Sequence, residues 1–172
     1  MDLIVAVDAN WGIGCKGTQN LVVPEDRRHF RDLTAGCTVI AGRKTLLDFP
    51  NGKPLKNRRN IILTGDPNFT VEGAETAHST EELFAMLDEG EKAFVIGGAS
   101  VYRQLYPYCE RAYVTHILAS PEADRFFPDL NADDDWLAAD ISPVYDSASG
   151  LQYRFITYEN RHVSTLDVRK EL

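Results

Sequence analysis

The chain has 172 residues, of which 44% are hydrophobic and 26% charged, and a formal net charge of −8. That length predicts one domain, since chains split into several only beyond roughly 250 residues, and that composition excludes disorder. The acidic balance excludes broad binding to nucleic acid or anionic membranes, which needs a basic face.

In chain order, residues 3–7 predict a strand, 24–33 a helix, 38–41 a strand, 42–47 a short helix and 60–64 a strand. Residues 79–87 predict a helix, 93–96 a strand, 98–105 a helix, and 112–118 and 151–158 two more strands. The first four strands are nearly continuous apolar runs, as suits central strands covered on both faces. The last two alternate more, as antiparallel or edge strands do. Helix 24–33 opens on Pro24 and places Glu25 and Asp26 at the positive end of the helix dipole. Helix 79–87 opens on a capping box, Ser79-Thr80-Glu81-Glu82.

Strand and helix in alternation predict an α/β fold with a mixed, mostly parallel sheet flanked by helices. A hairpin over 145–158, turning at 147–150, adds antiparallel edges. The domain is expected to span residues 1–161, with 162–172 a polar tail that is mobile or packs as an extension.

No apolar run approaches the roughly 18 residues of a membrane span, and the N-terminal segment has no basic, cleavable leader. Cys15, Cys37 and Cys109 form no CxxC pair, and His29, His78, His116 and His162 show no ligand spacing. Neither a disulfide framework nor a metal site is expected, and a reducing cytoplasm is.

Ligands of such a sheet bind beyond the carboxyl ends of its strands. In Val39-Ile40-Ala41-Gly42-Arg43-Lys44-Thr45, a glycine, a helix start and two cations together favour phosphate. The plainer reading is a solvated basic helix start. Val95-Ile96-Gly97-Gly98-Ala99-Ser100-Val101-Tyr102 puts a glycine pair where a pyrophosphate can rest on amides, and is otherwise a tight turn. Ile61-Ile62-Leu63-Thr64-Gly65 offers one hydroxyl, or is a plain strand end. Three such ends suggest a dinucleotide, and a cation near Thr64 would select NADPH over NADH.

Asp26 shares a helix face with Phe30. Inside a pocket it would be a desolvated carboxylate of raised pKa, able to bind or protonate a nitrogen heterocycle. Outside one it merely supports the helix start. Arg27, Arg28 and Arg31 form a solvated face or help hold an acidic ligand.

These segments recur in a telling order: Ile4-Val5-Ala6-Val7 with Trp11-Gly12-Ile13-Gly14, then Val23-Pro24-Glu25-Asp26-Arg27-Arg28-His29-Phe30, then Gly42-Arg43-Lys44-Thr45. Pro54-Leu55-Lys56-Asn57-Arg58-Arg59-Asn60 follows, then Gly97-Gly98-Ala99-Ser100-Val101-Tyr102, Tyr113-Val114-Thr115-His116-Ile117 and Asp124-Arg125-Phe126-Phe127-Pro128. Over residues 1–160 this order and spacing resembles dihydrofolate reductase. The resemblance implies a sheet of eight strands and NADPH-dependent reduction of 7,8-dihydrofolate to tetrahydrofolate, in support of one-carbon metabolism.

The resemblance also implies roles. Asp26 would hold the pterin 2-amino group and N3 and favour protonation at N5, so that hydride reaches C6. Thr115 would fix its geometry, with Leu21 and Tyr102 completing the catalytic set. Ile4, Val5, Arg27, Phe30, Phe49, Leu55 and Ile96 would line the substrate, and Arg58 would pair with its glutamate α-carboxylate. Ala6, Ile13, Gly14, Gly42, Arg43, Lys44, Thr45, Leu63, Thr64, Ile96, Gly97, Gly98, Ala99, Ser100, Val101 and Tyr102 would hold NADPH. The Gly97–Gly98 bond is typically cis in this family. Residues 10–23 resemble its mobile loop, anchored by Asp124. Diaminopyrimidine or pteridine antifolates would be ligands, and a monomer is the default.

Three departures stand at the pocket. Leu21 occupies the place of an indole that orders a water, Arg27 that of an apolar residue, and Asp48 that of a serine. Weaker binding of diaminopyrimidines is the expectation. Two other readings stay open: a related NADPH-dependent reductase of another pterin or aminopyrimidine, which would not need Arg58, and a non-enzymatic binding module, which would not need all three sites.

Overall fold

The computed structural model describes residues 1–17 and 21–166. Its elements are β1 (Asp2–Val7), β2 (Gly12–Gly14), α1 (Pro24–Thr34), β3 (Thr38–Gly42), α2 (Arg43–Leu46), β4 (Arg59–Leu63), β5 (Glu75–Ala77) and α3 (Thr80–Met86). They continue with β6 (Ala93–Gly97), α4 (Ala99–Leu105), β7 (Arg111–Ile117), β8 (Arg125–Phe126), β9 (Trp136–Ile141), β10 (Tyr145–Asp146) and β11 (Gln152–Asn160). The main sheet runs β10-β11-β7-β1-β6-β3-β4-β5, with β9 also paired to β11, and β2 pairs with β8 apart from it. Pairings from β5 through β1 to β7 are parallel, and β11 is antiparallel to all its neighbours. The mixed, mostly parallel sheet of eight strands is thus present, and β9 adds to it.

Alternation along each central strand feeds two cores, which is why the runs read as continuously apolar. Leu3, Val5, Val7, Ile40, Ile61 and Val95 pack on one face, with Val101 and Leu105 of α4. Ile4, Val39, Ala41, Ile62, Phe94 and Ile96 pack on the other, against Phe30 and Leu33 of α1. Truncating a fully buried member such as Ile40 (0% exposed) to alanine would cost about 2–5 kcal/mol.

The helices start as their sequences dictate. Pro24 opens α1 with Glu25 and Asp26 in its first turn, and Val23 gives no side-chain cap. Ser79 caps α3, its Oγ accepting from Glu82 N at 3.0 Å, while Glu82 Oε2 accepts from His78 N at 2.8 Å.

The reading of 112–118 and 151–158 as antiparallel or edge strands holds in part. Both are interior: β7 lies between β1 and β11, and β11 between β7 and the β9 and β10 strands. The polar Thr115 and His116 of β7 are buried rather than turned to water, so hydropathy alternation misreports its position. Beyond β11, His162 Nδ1 lies 2.9 Å from Asp135 Oδ1 and Ser164 N donates to Pro107 O at 2.9 Å. These bonds fix the chain at His162 and Ser164, and residues 167–172 lie outside the described residues.

Candidate active site

The carboxyl ends of the parallel strands gather the candidate residues on one rim. On it, α1 delivers Asp26 and β7 delivers Thr115, which pairs in register with Ala6 of β1. Thr115 Oγ1 donates to Asp26 Oδ1 at 2.6 Å. Burial pushes the Asp26 carboxyl above the usual carboxylate range, against the opposing pull of the Thr115 hydroxyl and of His29 and Arg27. His29 stacks on Phe155 with ring centroids 4.1 Å apart, and its own burial holds its pKa down.

An apolar wall stands beside this acid. Ile4 and Ile96 pack together with Phe30, Phe49 and Leu55. Val5 does not join them: strand alternation turns its side chain into the opposite core, so only its backbone can face the rim. Arg27 is exposed. Leu21 packs near Ala6 against the cluster of Val23, Ile117 and Tyr153.

Arg58 stands at the outer end of the wall, its guanidinium 5.8 Å from the Phe30 ring. Thr34 Oγ1 accepts from its Nε at 2.9 Å and Lys56 O from its Nη1 at 2.8 Å, which fixes the plane of the fork. Buried Asn60 shapes the turn before it, bonding both Leu55 N and Leu55 O.

The glycine ends meet because β3 and β6 are neighbours, with Ala41 opposite Gly97. The Gly97–Gly98 peptide is cis, and Gly97 has φ of 129°. A Cβ on Gly98 would lie 3.1 Å from Thr45 Oγ1, and one on Gly42 would lie 3.1 Å from Val101 Cγ2. The result is a backbone-lined notch at the start of α4, where a side chain on Gly42 or Gly98 would crowd Val101 or Thr45. Tyr102 is sealed beneath it, donating its hydroxyl to Ile4 O at 2.7 Å, and burial pushes its pKa strongly up. It fastens α4 to β1, and its proton is engaged in doing so.

Leu63 is buried at the end of β4, and Thr64 follows, its Oγ1 accepting from Asp66 N at 3.2 Å. Arg43 pairs with Asp66 at 3.2 Å across open surface and lies 5.8 Å from the Phe69 ring. Such an exposed pair contributes at most about 1 kcal/mol and yields readily to a ligand. Lys44 is exposed beside it, and Ser100 opens on the same rim.

Two residues here escaped sequence reading. His78 sits with Nδ1 3.0 Å from Thr64 O, because the short strand β5 lies along β4, and so stands beside the Thr64 position. Asp8 is buried, and its Oδ1 accepts from Asn10 N and Gly12 N, both at 2.8 Å. The D-x-N-x-G spacing is the signal for that turn. It leads into β2, beyond which Lys16 N donates to Asp124 Oδ2 at 2.9 Å. Residues 18–20 of the expected loop lie outside the described residues. A shallow cleft lined by Ala6, Ile13, Gly14, Leu21, Ile117 and Ala123 among others runs beneath this segment.

The family model for dihydrofolate reductase matches residues 1–160. The chain is 34% identical over 164 residues to the dihydrofolate reductase of Bacillus subtilis, covering 95% of this chain and 96% of that protein. It is 37% identical over 160 residues to that of Staphylococcus haemolyticus, covering 92% and 95%. The solved structure of dihydrofolate reductase from Enterococcus faecalis, complexed with NADP(H) and RAB-propyl, aligns with a TM-score of 0.83 and 32% identity. That alignment covers 92% of this chain and 95% of the other.

Proposed function

The chain belongs to the dihydrofolate reductase family, and from that premise we propose that it reduces 7,8-dihydrofolate to tetrahydrofolate at the expense of NADPH. One observation carries the reading: a partly buried carboxyl, raised by that burial and aimed by Thr115, beside an apolar wall that ends in an arginine.

NADPH, when bound, supplies the hydride. The proton for N5 comes from water, and side chains of this protein bind, orient and polarise the substrate. Thr115 occupies one lone pair of Asp26 Oδ1, leaving the remaining carboxylate positions to accept from the pterin 2-amino group and N3. Those bonds, strong in a low-dielectric pocket, orient the ring and polarise it toward accepting a proton at N5. That polarisation would prepare C6 to accept the hydride. Ile4 and Ile96 would hold the two reacting rings face to face, and Phe30, Phe49 and Leu55 would clasp the benzoyl group. Arg58, already planar and held at two of its nitrogens, would take the α-carboxylate as a bidentate fork.

The cradle for the cofactor phosphates is the notch formed by Gly42–Thr45 and Gly97–Ser100, whose tight Cβ approaches fit an anion seated on amides. Thr64, Arg43 and His78 form the outer corner, where a 2′-phosphate would replace Asp66 as the partner of Arg43. The reading extends to a monomer in a reducing cytoplasm and to diaminopyrimidine or pteridine antifolates as ligands of Asp26.

The test is the fall in NADPH absorbance when dihydrofolate is added, run beside an unconjugated dihydropterin. Consumption with dihydrofolate and little with the dihydropterin supports the reading. Equal rates would favour a pterin reductase indifferent to Arg58, and no consumption would remove the proposal.

A further inference from the structure

Glu25 and Asp26 are neighbours in the first turn of α1, yet they reach different elements of the sheet. Asp26 takes its hydrogen bond from Thr115 on β7. Glu25 takes two from the turn that joins β10 to β11: Ser147 Oγ donates to Oε2 at 2.7 Å and Ala148 N donates to Oε1 at 2.9 Å. The turn is a firm support. Ser147 is buried, its N donates to Leu151 O at 2.7 Å, Gly150 N donates back to Ser147 O at 2.9 Å, and Ser149 N donates to Ser147 Oγ at 3.2 Å. Because β11 pairs with β7 so that Phe155 lies opposite Thr115, the two attachments belong to one rigid body.

We propose that Glu25 is a positioning residue for the reaction: its carboxylate clamps the start of α1 to the β10–β11 turn and so sets the direction in which Asp26 faces Thr115 and the pterin. The geometry requires such a second attachment. Val23 supplies no side-chain cap, so the first turn of α1 is held by the burial of Val23 and by these carboxylate bonds. The His29–Phe155 stack and the packing of Phe30 and Leu33 hold the turns that follow, whereas the single hydrogen bond from Thr115 fixes a distance and leaves the direction of the carboxyl some freedom. A second bond through the adjacent residue removes that freedom. Both bonds favour the ionised form of Glu25 and hold its pKa below the usual range, so the clamp is charge-assisted at neutral pH.

This inference rests on the reading of Asp26 as the acid, and its test separates the two. In Glu25→Ala, the single-turnover rate of hydride transfer falls about tenfold, as misplacement of a reacting group predicts. The midpoint of its pH profile moves down, because a pivoting Asp26 loses the burial that raises it. NADPH affinity, read by fluorescence quenching, stays unchanged. Glu25→Gln, which can still accept from Ala148 N, recovers most of the rate. Ser147→Ala removes one bond only and gives a smaller change in the same direction, serving where the first variant folds poorly. The ¹³C shift of the Asp26 carboxyl, titrated in ligand-free protein, follows the same downward midpoint whether or not the chain reduces dihydrofolate. A loss of thermal stability in Glu25→Ala with hydride rate and carboxyl midpoint unmoved would overturn the proposal, and so would failure of Glu25→Gln to recover the rate.

Discussion

The Thr115 hydroxyl donates to Asp26 Oδ1 at 2.6 Å across 89 residues of sequence. That bond opposes the effect of burial on the carboxyl, so the two can be separated by mutation. Thr115→Val keeps the shape and removes the donor. The midpoint of the pH–rate profile then moves up, and turnover at neutral pH falls about tenfold, since a hydrogen bond to a charged group is worth about 1.5–3 kcal/mol. A midpoint that moves down, measured by stopped-flow absorbance, would contradict the assignment.

Burial raises the pKa of Asp26 in the folded state relative to the unfolded chain. The folded form therefore binds its proton more tightly, and it loses stability as pH rises through that window. Asp26→Asn removes the penalty. The variant melts at a higher temperature than the parent at neutral pH, and the gain vanishes below the unfolded carboxylate pKa of about 3.9. Its activity at neutral pH falls at least about 100-fold, the scale of lost acid assistance. Calorimetry at two pH values checks the first outcome and the NADPH assay the second.

Arg58→Leu tests the outer end of the wall. The guanidinium is remote from the reacting carbon, so its loss removes binding common to ground and transition states. KM for dihydrofolate rises by about 10–100-fold, the range of one charge-assisted pair, with kcat little changed. A collapse of kcat would place Arg58 closer to the chemistry than this geometry does.

Leu21 sits near Ala6 in the apolar cluster beside Asp26, where it offers no N–H to hold a water. Leu21→Trp restores that donor, and the inhibition constant of a diaminopyrimidine falls by about tenfold, the worth of roughly one net hydrogen bond. An unchanged constant would shift the expected weak binding to Arg27 or Asp48.

The sequence made the site more legible than its supports. Apolar runs and glycine pairs reported the central strands and the notch, because those depend on neighbours in the chain. Strands β2, β5, β8 and β9 went unread. Each is short or turned largely to solvent, so hydrophobic periodicity carries no signal there. The same gap hid His78, which reaches Thr64 only through the β4–β5 pairing. Strand alternation alone puts Ile4 and Val5 on opposite sides of β1, but residue spacing could not report the bonds to Glu25 from Ser147 and Ala148, 122 and 123 residues away. Such contacts are set by sheet register, whose closure joins distant stretches of chain.

That closure has a bearing on biosynthesis. The acid leaves the ribosome well before β11, which braces β7 and follows the serine turn. A nascent chain lacking β11 holds every residue of the proposed reaction centre and still cannot aim it. Nonsense or frameshift lesions between residues 147 and 152, which remove β11, should therefore give an inert product although its catalytic complement is intact.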